Sequence, residues 1–271
     1  MKFSNIFILI RKVTMLIVLA LCLQFNFNMK KMKKFLIKIK NFILYILFPR
    51  TCFNCGVDLP LEEQGFLCKD CLKKLKKPGP IICQRCGLTL KDGGAHCFNC
   101  RGTKHFKCSL IRSALDFNEP SRALIHGLKY EKYTNIAKFF APIMHKTLLE
   151  NPSMLEAEYF VPVPIHKKRL KKRGFNQAEV LARELSVLAN IPVLNALERI
   201  KNTKSQTKLT KKERAVNIKE AFICSEPNAI KKKAIILIDD VCTTTATLEE
   251  CAKVLKKAGA REVYALCATK E

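Results

Sequence analysis

The sequence predicts an α/β domain, in which helices flank a parallel sheet, preceded by a small domain held together by two metal-bound cysteine clusters. Two observations support this prediction. Four Cys-x-x-Cys pairs lie between Cys52 and Cys100. Residues 106–271 then alternate between short apolar strands and amphipathic helices, which is typical of α/β folds. A length of 271 residues is enough for one medium domain and one small domain.

The chain is strongly basic and carries a formal net charge of +26, from 49 Lys and Arg against 23 Asp and Glu. Such a surface attracts polyanions, among them nucleic acid, anionic lipid and phosphorylated metabolites, and charge alone does not choose among them. Free use of lysine on solvated faces explains part of the excess. The pairing of cysteines, with others scattered along a long chain, indicates metal binding in a reducing cytoplasm rather than the disulfides of a secreted protein.

The first 28 residues resemble a signal peptide, because Arg11 and Lys12 precede an apolar run over residues 13–23. The run is too short to span a membrane, and no A-x-A-like cleavage site follows it. A second possible start, Met29, opens the next segment. We interpret residues 1–28 as a disordered leader or as translation from an upstream start, with a membrane role as the alternative.

Residues 29–49 form a basic and apolar segment that predicts one short helix ending before Pro49. We expect the broad apolar face of this helix to pack on its own protein. The alternative is an interfacial membrane anchor. The face consists of Phe35, Leu36, Ile39, Phe42, Ile43, Ile46 and Leu47.

The cysteine module, residues 50–105, has little apolar periodicity, so bound metal must supply the stability that its core does not. Two residues between cysteines let both thiolates turn inward on a tight knuckle, and Gly56 and Gly87 stand where a knuckle often needs positive φ. Two such pairs supply four thiolates, which form a closed structural zinc site. The two predicted sites are Cys52, Cys55, Cys68 and Cys71, and Cys83, Cys86, Cys97 and Cys100.

Apolar patterning predicts the elements of the α/β domain, residues 106–271. Residues 234–238 are continuously apolar, as expected for a buried parallel strand, and Gly259 stops the helix that follows. Residues 199–219 are basic and lack apolar periodicity, which predicts a mobile loop. The expected elements are, in order, a strand at 110–117, two helices within 120–150, a strand at 159–163, a helix at 175–190, a strand at 234–238, a helix at 246–258 and a strand at 263–267.

Two adjacent carboxylates and a hydroxyl-rich turn follow the predicted strand at 234–238. Asp239 and Asp240 stand at the carboxyl end of that strand, where ligands bind in open α/β sheets. They can accept ribose hydroxyls or hold magnesium, and the turn offers N–H groups and hydroxyls at a helix N-terminus, which makes an anion site. A simple helix cap is the alternative, but it would need only one or two such groups. The hydroxyls belong to Thr243, Thr244, Thr245 and Thr247.

The run Asp-Asp-Val-x-Thr-Thr-x-Ala-Thr resembles the phosphoribosyl pyrophosphate (PRPP) motif of type I phosphoribosyltransferases. The resemblance implies that the acids contact the ribose and magnesium and that the turn holds the 5′-phosphate. One departure matters, because Thr245 stands where that family usually has glycine, and a β-branched residue tolerates positive φ poorly. The residues implied in PRPP binding are Asp239, Asp240, Thr243, Thr244, Thr245, Ala246 and Thr247.

Three further segments, together with the four cysteine pairs, resemble the ComF family of competence-associated proteins. They are LIHGLKY at 124–130, VPVPIHKKRLKKRGFNQAEV at 161–180 and RIKNTKSQTKLTKKERAVNIKEAF at 199–222. The resemblance covers about residues 45–271. It implies a double zinc ribbon followed by a type I phosphoribosyltransferase-like domain, and a role in handling imported single-stranded DNA.

Two basic segments are candidates for binding anions. Residues 166–173, HKKRLKKR, follow a predicted strand, where type I phosphoribosyltransferases hold pyrophosphate. The candidates for that role are Lys167, Lys168, Arg169 and Arg173. Three readings of residues 199–214 remain open: a loop that closes over the reaction centre, a path for single-stranded DNA, or a solvated basic loop. Their basic residues are Arg199, Lys201, Lys204, Lys208, Lys211, Lys212 and Arg214.

Two functional hypotheses follow. In the first, the protein binds PRPP with magnesium, as a phosphoribosyltransferase whose acceptor the sequence does not identify, and acts in DNA uptake and natural transformation. In the second, it is a non-catalytic adaptor that binds single-stranded DNA, or a protein partner such as a competence helicase, on a phosphoribosyltransferase fold. No residue stands out as a general base, and Thr245 weakens the case for turnover more than the case for binding.

Overall fold

A computed structural model describes residues 29–47, 49–61, 65–102, 106–202 and 218–271. The predicted leader at 1–28 lies outside these residues. The chain divides into two compact units. One contains the described residues up to Thr51 together with Asp58–Gly65, and the other contains Cys52–Val57 together with Phe66–Glu271. All eight cysteines of the predicted zinc sites therefore belong to the same unit as the α/β domain.

The first unit contains helix α1, Met29–Leu47. Phe35, Phe42 and Ile46 are exposed by 56%, 55% and 62%. The packing of this apolar face on its own protein stays a prediction. Among the described residues, no helix is both long and apolar enough to cross a membrane.

The second unit contains a parallel sheet whose described strands run in the order Leu110–Asp116, Glu262–Lys270, Ala234–Cys242 and Tyr159–Pro162. A separate antiparallel pair joins Leu197–Arg199 to Phe222–Cys224. In chain order the elements are α2 (Lys69–Lys73), α3 (Phe98–Arg101), β1 (Leu110–Asp116), α4 (Glu119–Tyr130), α5 (Ile136–Leu149), a 3-10 turn (Pro152–Glu156), β2 (Tyr159–Pro162), α6 (Lys167–Arg173), α7 (Gln177–Ala189), β3 (Leu197–Arg199), β4 (Phe222–Cys224), α8 (Pro227–Ile230), β5 (Ala234–Cys242), α9 (Ala246–Lys257) and β6 (Glu262–Lys270).

Strand β5 is central because β2 and β6 pair with its two edges. Its residues 234–238 are fully buried, as the continuous apolar run predicted. Ile235 and Leu237 belong to a core cluster with Leu248, Cys251 and Leu255 of α9. Since side chains alternate across a strand, the intervening residues face the opposite layer, and α7 packs against β5 and β2. The prediction of a parallel sheet flanked by helices is confirmed.

Helix boundaries follow local chemistry. Asn118 accepts a hydrogen bond from the Ser121 backbone N–H, and the Ser121 hydroxyl accepts one from the Asn118 N–H, which forms a capping box at the start of α4. Gly259 follows the end of α9 with φ +96°, in the left-handed region that glycine favours. Strands β5 and β6 extend three or four residues beyond their predicted ends.

Two parts of the secondary structure differ from the prediction. The basic run at 166–173, expected to be a loop, forms helix α6 because the His166 side chain accepts a hydrogen bond from the Lys168 backbone N–H and Gly174 ends the helix at φ +88°. The predicted mobile loop at 199–219 starts within β3, while residues 203–217 lie outside the described residues. Strands β3 and β4 have only three residues each, too few to show a period in the sequence.

The first cysteine knuckle packs directly on helix α4. Phe53, between Cys52 and Cys55, makes an edge contact with Tyr133 at a centroid distance of 5.0 Å. A Cβ atom added at Gly127 of α4 would overlap the Phe53 ring and come within 2.9 Å of Ile136 Cδ1. Only glycine at this position allows such a close approach.

We expect Gly127→Ala to lower the free energy of unfolding, because overpacking costs about 1–3 kcal/mol and exceeds the roughly 1 kcal/mol gained in helix propensity. Urea denaturation of the zinc-loaded protein measures this change. Gly102→Ala is the matched control, since a Cβ there meets nothing within 4 Å. Equal stability of the two variants would contradict the proposed contact.

Candidate functional site

Two cysteine tetrads form sites that fit zinc. In each tetrad, all the sulfur atoms lie within 4.8 Å of one another. The backbone N–H of Cys52 donates to the Val57 carbonyl at 2.8 Å, and Gly56 N–H donates to the Cys52 carbonyl at 2.9 Å. The second site repeats this knuckle, and Gly56 and Gly87 have φ of +74° and +70°, as predicted. The described cysteines form no disulfide. The members are Cys52, Cys55, Cys68 and Cys71, and Cys83, Cys86, Cys97 and Cys100.

The charges of the cysteine thiolates in each tetrad also favour a bound cation. Although burial acts to raise it, hydrogen bonds from backbone N–H groups lower the pKa of Cys52 to about 6, and the same balance lowers the pKa of Cys83 to about 6. Burial and the neighbouring Cys83 charge raise the pKa of Cys86 to about 11. One thiolate therefore opposes ionisation of another, and a bound zinc ion is the group that allows four thiolates to coexist.

A second site is a cavity of about 520 Å³ at the carboxyl end of β5. The end of β5 and the turn after it form one wall, the residues between β2 and α7 form a second, and α4 forms a third. Its lining includes Arg122, His126, Lys129, Tyr130, Arg169, Arg173, Gln177, Arg199, Asp239, Asp240, Cys242, Thr243, Thr244, Thr245, Ala246 and Thr247. The cavity thus gathers the predicted acid pair, the whole threonine turn and two of the four predicted pyrophosphate residues.

Asp239 and Asp240 are adjacent carboxylates, of which Asp240 is buried and Asp239 is half-buried. Burial and the neighbouring Asp240 charge raise the pKa of Asp239 well above its usual range. Burial acts on Asp240 in the same direction, but the Lys129 ammonium and hydrogen bonds outweigh it and lower the pKa of Asp240. Lys129 Nζ lies 2.5 Å from Asp240 Oδ2, and Gln177 Nε2 donates to Asp240 Oδ1 at 3.4 Å. The pair therefore holds its negative charge mainly on Asp240.

The threonine turn joins β5 to α9 and keeps the conformation that glycine usually provides. Thr245, the residue before α9, has φ +57° and ψ −12°. A β-branched residue in this region is strained. Threonine in place of glycine therefore leaves the backbone conformation of the turn unchanged but raises its energy. The turn precedes the N-terminus of a twelve-residue helix, where backbone N–H groups favour an anion.

The candidate pyrophosphate residues separate into two groups. Arg169 and Arg173 line the cavity, whereas Lys167 and Lys168 are not among its lining residues. Lys167 is 86% exposed and lies 3.9 Å from Glu198. Arg173 donates a hydrogen bond to Gln177.

The basic residues of the second segment, 199–214, also differ in their positions. Arg199 lines the cavity, and its guanidinium lies 5.4 Å from the centroid of the Phe222 ring. Lys201 Nζ donates to the Lys219 carbonyl at 3.1 Å. The other five candidates lie outside the described residues: Lys204, Lys208, Lys211, Lys212 and Arg214.

Helix α4 supplies cavity residues that sequence reasoning did not assign. Arg122, Ile125, His126 and Lys129 all line the cavity. Their spacing of three, four and seven residues places them on one helix face. Three potential cations at this spacing were the available signal. A basic helix face is usually solvated, so this spacing alone does not indicate a binding site.

A buried thiol and lysine lie beneath the turn and were also missed. Lys270 Nζ donates to Cys242 Sγ at 3.4 Å, and both residues are almost fully buried. A hydrogen bond with Cys267 lowers the pKa of Cys242 to about 6, aided by the Lys270 charge and opposed by burial. A buried lysine requires such a negative partner. The contact anchors the end of β5 to the end of β6.

The fold and the two kinds of site define a protein in which a double zinc ribbon accompanies a phosphoribosyltransferase-type domain. Residues 43–101 match the model of the double zinc ribbon domain, and residues 170–270 match that of the phosphoribosyl transferase domain. The chain belongs to the ComF family. It is 31% identical to competence protein F of Haemophilus influenzae over 80% of this chain and 95% of that protein.

Two other relatives are also similar over most of their length. DNA utilization protein YhgH of Escherichia coli is 28% identical over 82% of this chain and 98% of that protein. Competence protein ComFC of Bacillus subtilis is 31% identical over 73% of this chain and 81% of that protein. The predicted resemblance to the ComF family is confirmed.

We expect Cys83→Ser to reduce the zinc content from two ions per chain to one and to lower the free energy of unfolding by several kcal/mol, because structural zinc contributes directly to folding. Atomic absorption and thermal unfolding measure the two effects. Cys224→Ser, a cysteine outside both tetrads, serves as the control. Retention of two tightly bound ions by Cys83→Ser would argue against this ligand set.

We expect Thr245→Gly to raise the free energy of unfolding by about 0.5–1 kcal/mol, since relief of left-handed strain exceeds the added chain entropy of glycine. Thr244→Gly is the matched control and should be destabilising, because Thr244 does not have positive φ. Urea denaturation compares the two. A loss of stability in Thr245→Gly equal to that in Thr244→Gly would show that the turn carries no such strain.

Proposed function

We propose that this protein binds PRPP with magnesium in the cavity at the end of β5 and acts in the uptake and use of DNA. One observation carries the proposal: an acid pair with Asp240 buried, a threonine turn before a helix N-terminus and two arginines line the same cavity. PRPP has the matching parts, a 5′-phosphate, a ribose diol and a pyrophosphate. The names of the relatives, which refer to competence and DNA utilization, support the biological role.

Each wall of the cavity has a part in this proposal. The turn from Thr243 to Thr247 holds the 5′-phosphate through backbone N–H groups and hydroxyls at the start of α9. Asp239 and Asp240 accept hydrogen bonds from the ribose hydroxyls. Arg169 and Arg173 lie on another wall, and their guanidinium groups can hold the pyrophosphate in bidentate fashion.

The residues present fit a magnesium ion. Magnesium binds oxygen ligands, usually one or two carboxylates together with phosphate oxygens and water, and the acid pair offers these carboxylates. Asp240 Oδ2 already faces one cation, the Lys129 ammonium at 2.5 Å, so this oxygen is placed to meet positive charge. A magnesium ion here would neutralise the charge that develops on the pyrophosphate leaving group.

If the ligand reacts, the protein contributes mainly by orientation and electrostatics. Arg169 and Arg173 stabilise the departing pyrophosphate, and the acid pair faces the positive charge that develops on the ribose. Neither the sequence nor the described residues identify an acceptor. Phosphoribosyl binding is therefore the core of the proposal, and transfer to an acceptor is its extension.

A second candidate function is that of an adaptor for single-stranded DNA or for a DNA-processing protein such as a helicase. The basic lining of the cavity supports it, because Arg122, Lys129, Arg169, Arg173 and Arg199 are all present. Binding of this kind would weaken steeply with rising salt. Deoxyribose, however, lacks the 2′-hydroxyl that a carboxylate pair would accept.

We expect PRPP with magnesium to bind the zinc-loaded protein saturably in a calorimetric titration, and we expect the double variant Asp239→Asn, Asp240→Asn to lose that binding. The acid pair holds both the diol and the metal, so its neutralisation removes both. The matched control is Glu150→Gln, Glu226→Gln, which changes the net charge equally at exposed positions outside the cavity.

Each result has a distinct meaning. Loss of binding in the aspartate variant with retention in the glutamate control supports the proposed site. Absence of PRPP binding by the folded parent protein would reject the proposal and favour the adaptor. A parallel titration with single-stranded oligonucleotide at low and high salt would then test that alternative.

A further inference from the structure

The acid pair already has a cation partner inside the protein. Lys129, in the last turn of α4, places its Nζ atom 2.5 Å from Asp240 Oδ2. The Asp240 side chain is only 5% exposed and the Lys129 side chain 22%. Within the described part of the chain, the other side-chain donor to Asp240 is the neutral amide of Gln177. Lys129 is thus the positive charge that makes burial of the Asp240 carboxylate tolerable.

A divalent ion on the acid pair would require the same carboxylate oxygen. Magnesium binds carboxylate oxygens at about 2.0–2.1 Å, and an ammonium 2.5 Å from Oδ2 stands in that space. Two cations this close together repel strongly in a buried site. The Lys129 ammonium and the metal therefore exclude each other at Asp240.

We propose that Lys129 is an internal counter-ion for the acid pair. When a metal ion binds, the Lys129 ammonium leaves Asp240 and moves to the phosphate groups of the ligand. The proposal rests on the proposed function for its second half, because the phosphates are those of PRPP. Its first half concerns the metal alone. In this way the release of Asp240 by Lys129 is coupled to the binding of an anionic ligand.

The surroundings of Lys129 favour this movement. Lys129 lines the same cavity as Arg169 and Arg173, and the Arg173 guanidinium lies 5.5 Å from the ring centroid of Tyr130, the residue next to Lys129. A lysine side chain has four rotatable bonds, and its ammonium can move several ångströms without a change in the helix. On the phosphate side it gains new anionic partners, while the metal replaces it on Asp240.

Binding of Mn²⁺ alone, followed by the electron paramagnetic resonance signal of the free ion, tests the first half. We expect the full-length, zinc-loaded Lys129→Gln variant to bind Mn²⁺ about tenfold more tightly than the parent protein, because removal of a like charge from a buried site favours the ion. Lys129→Arg keeps the charge and should bind Mn²⁺ as the parent does. Addition of Asp240→Asn to Lys129→Gln should abolish the gain.

A second neutral variant, Lys129→Met, guards against misfolding of Lys129→Gln, and near-ultraviolet circular dichroism checks both. Unchanged or weaker Mn²⁺ binding by a folded neutral variant would overturn the proposal. So would a gain in affinity that persists with Asp240→Asn, because the ion would then bind elsewhere.

Titration of PRPP at a magnesium concentration that saturates both proteins tests the second half, because the tighter metal binding of Lys129→Gln then adds nothing to its PRPP affinity. We expect Lys129→Gln to bind PRPP about tenfold more weakly than the parent, since one charge-assisted contact to phosphate is lost. Equal or tighter PRPP binding would overturn the movement of Lys129 to the ligand. If the parent protein does not bind PRPP, the proposed function fails, while the Mn²⁺ result still decides the counter-ion role.

Discussion

Burial of negative charge at the carboxyl end of β5 is the constraint on which the site depends. Helices α7 and α9 cover the two faces of β5, so residues 234–238 are buried and apolar, and the first carboxylates appear only where the strand ends. There Asp240 remains almost fully buried. An unpaired charge at this depth would cost several kcal/mol. Helices α4 and α7 must therefore converge on Asp240, each with one polar side chain, Lys129 and Gln177.

The zinc tetrads affect the same helix from another direction. The first knuckle places Phe53 against Gly127 of α4, two residues before Lys129. A cysteine module of this size has too small an apolar core to fix the knuckle without metal. Thiolate–metal bonds at Cys52 and Cys55 would therefore help to fix the position of α4. A structural metal and the charge balance at Asp240 would then act on the same helix.

Local patterns predicted the tetrads, the order of most strands and helices, and the position of the turn from Thr243 to Thr247 between a strand and a helix. Each depends on residues close together in sequence, as in the Cys-x-x-Cys spacing or the apolar run of β5. The Lys129–Asp240 ion pair and the Lys270–Cys242 contact join distant segments, and no local period marks them. Helix α6 was mistaken for a loop because its ends are set by caps at His166 and Gly174 rather than by an apolar face.

The arrangement of charge in the cavity also narrows the kind of ligand that fits it. Arg169 and Arg173 lie on one wall and the threonine turn, proposed to bind a phosphate, on another, with the acid pair also in the lining. A ligand that uses all three features must carry negative charge in two places and hydroxyl donors between them. A regular nucleic acid backbone repeats its phosphates but, as DNA, offers no diol to the carboxylates. A phosphorylated ribose with a second phosphate group offers both, and it also supplies the anionic oxygens that would receive the Lys129 ammonium once a metal ion occupies Asp240.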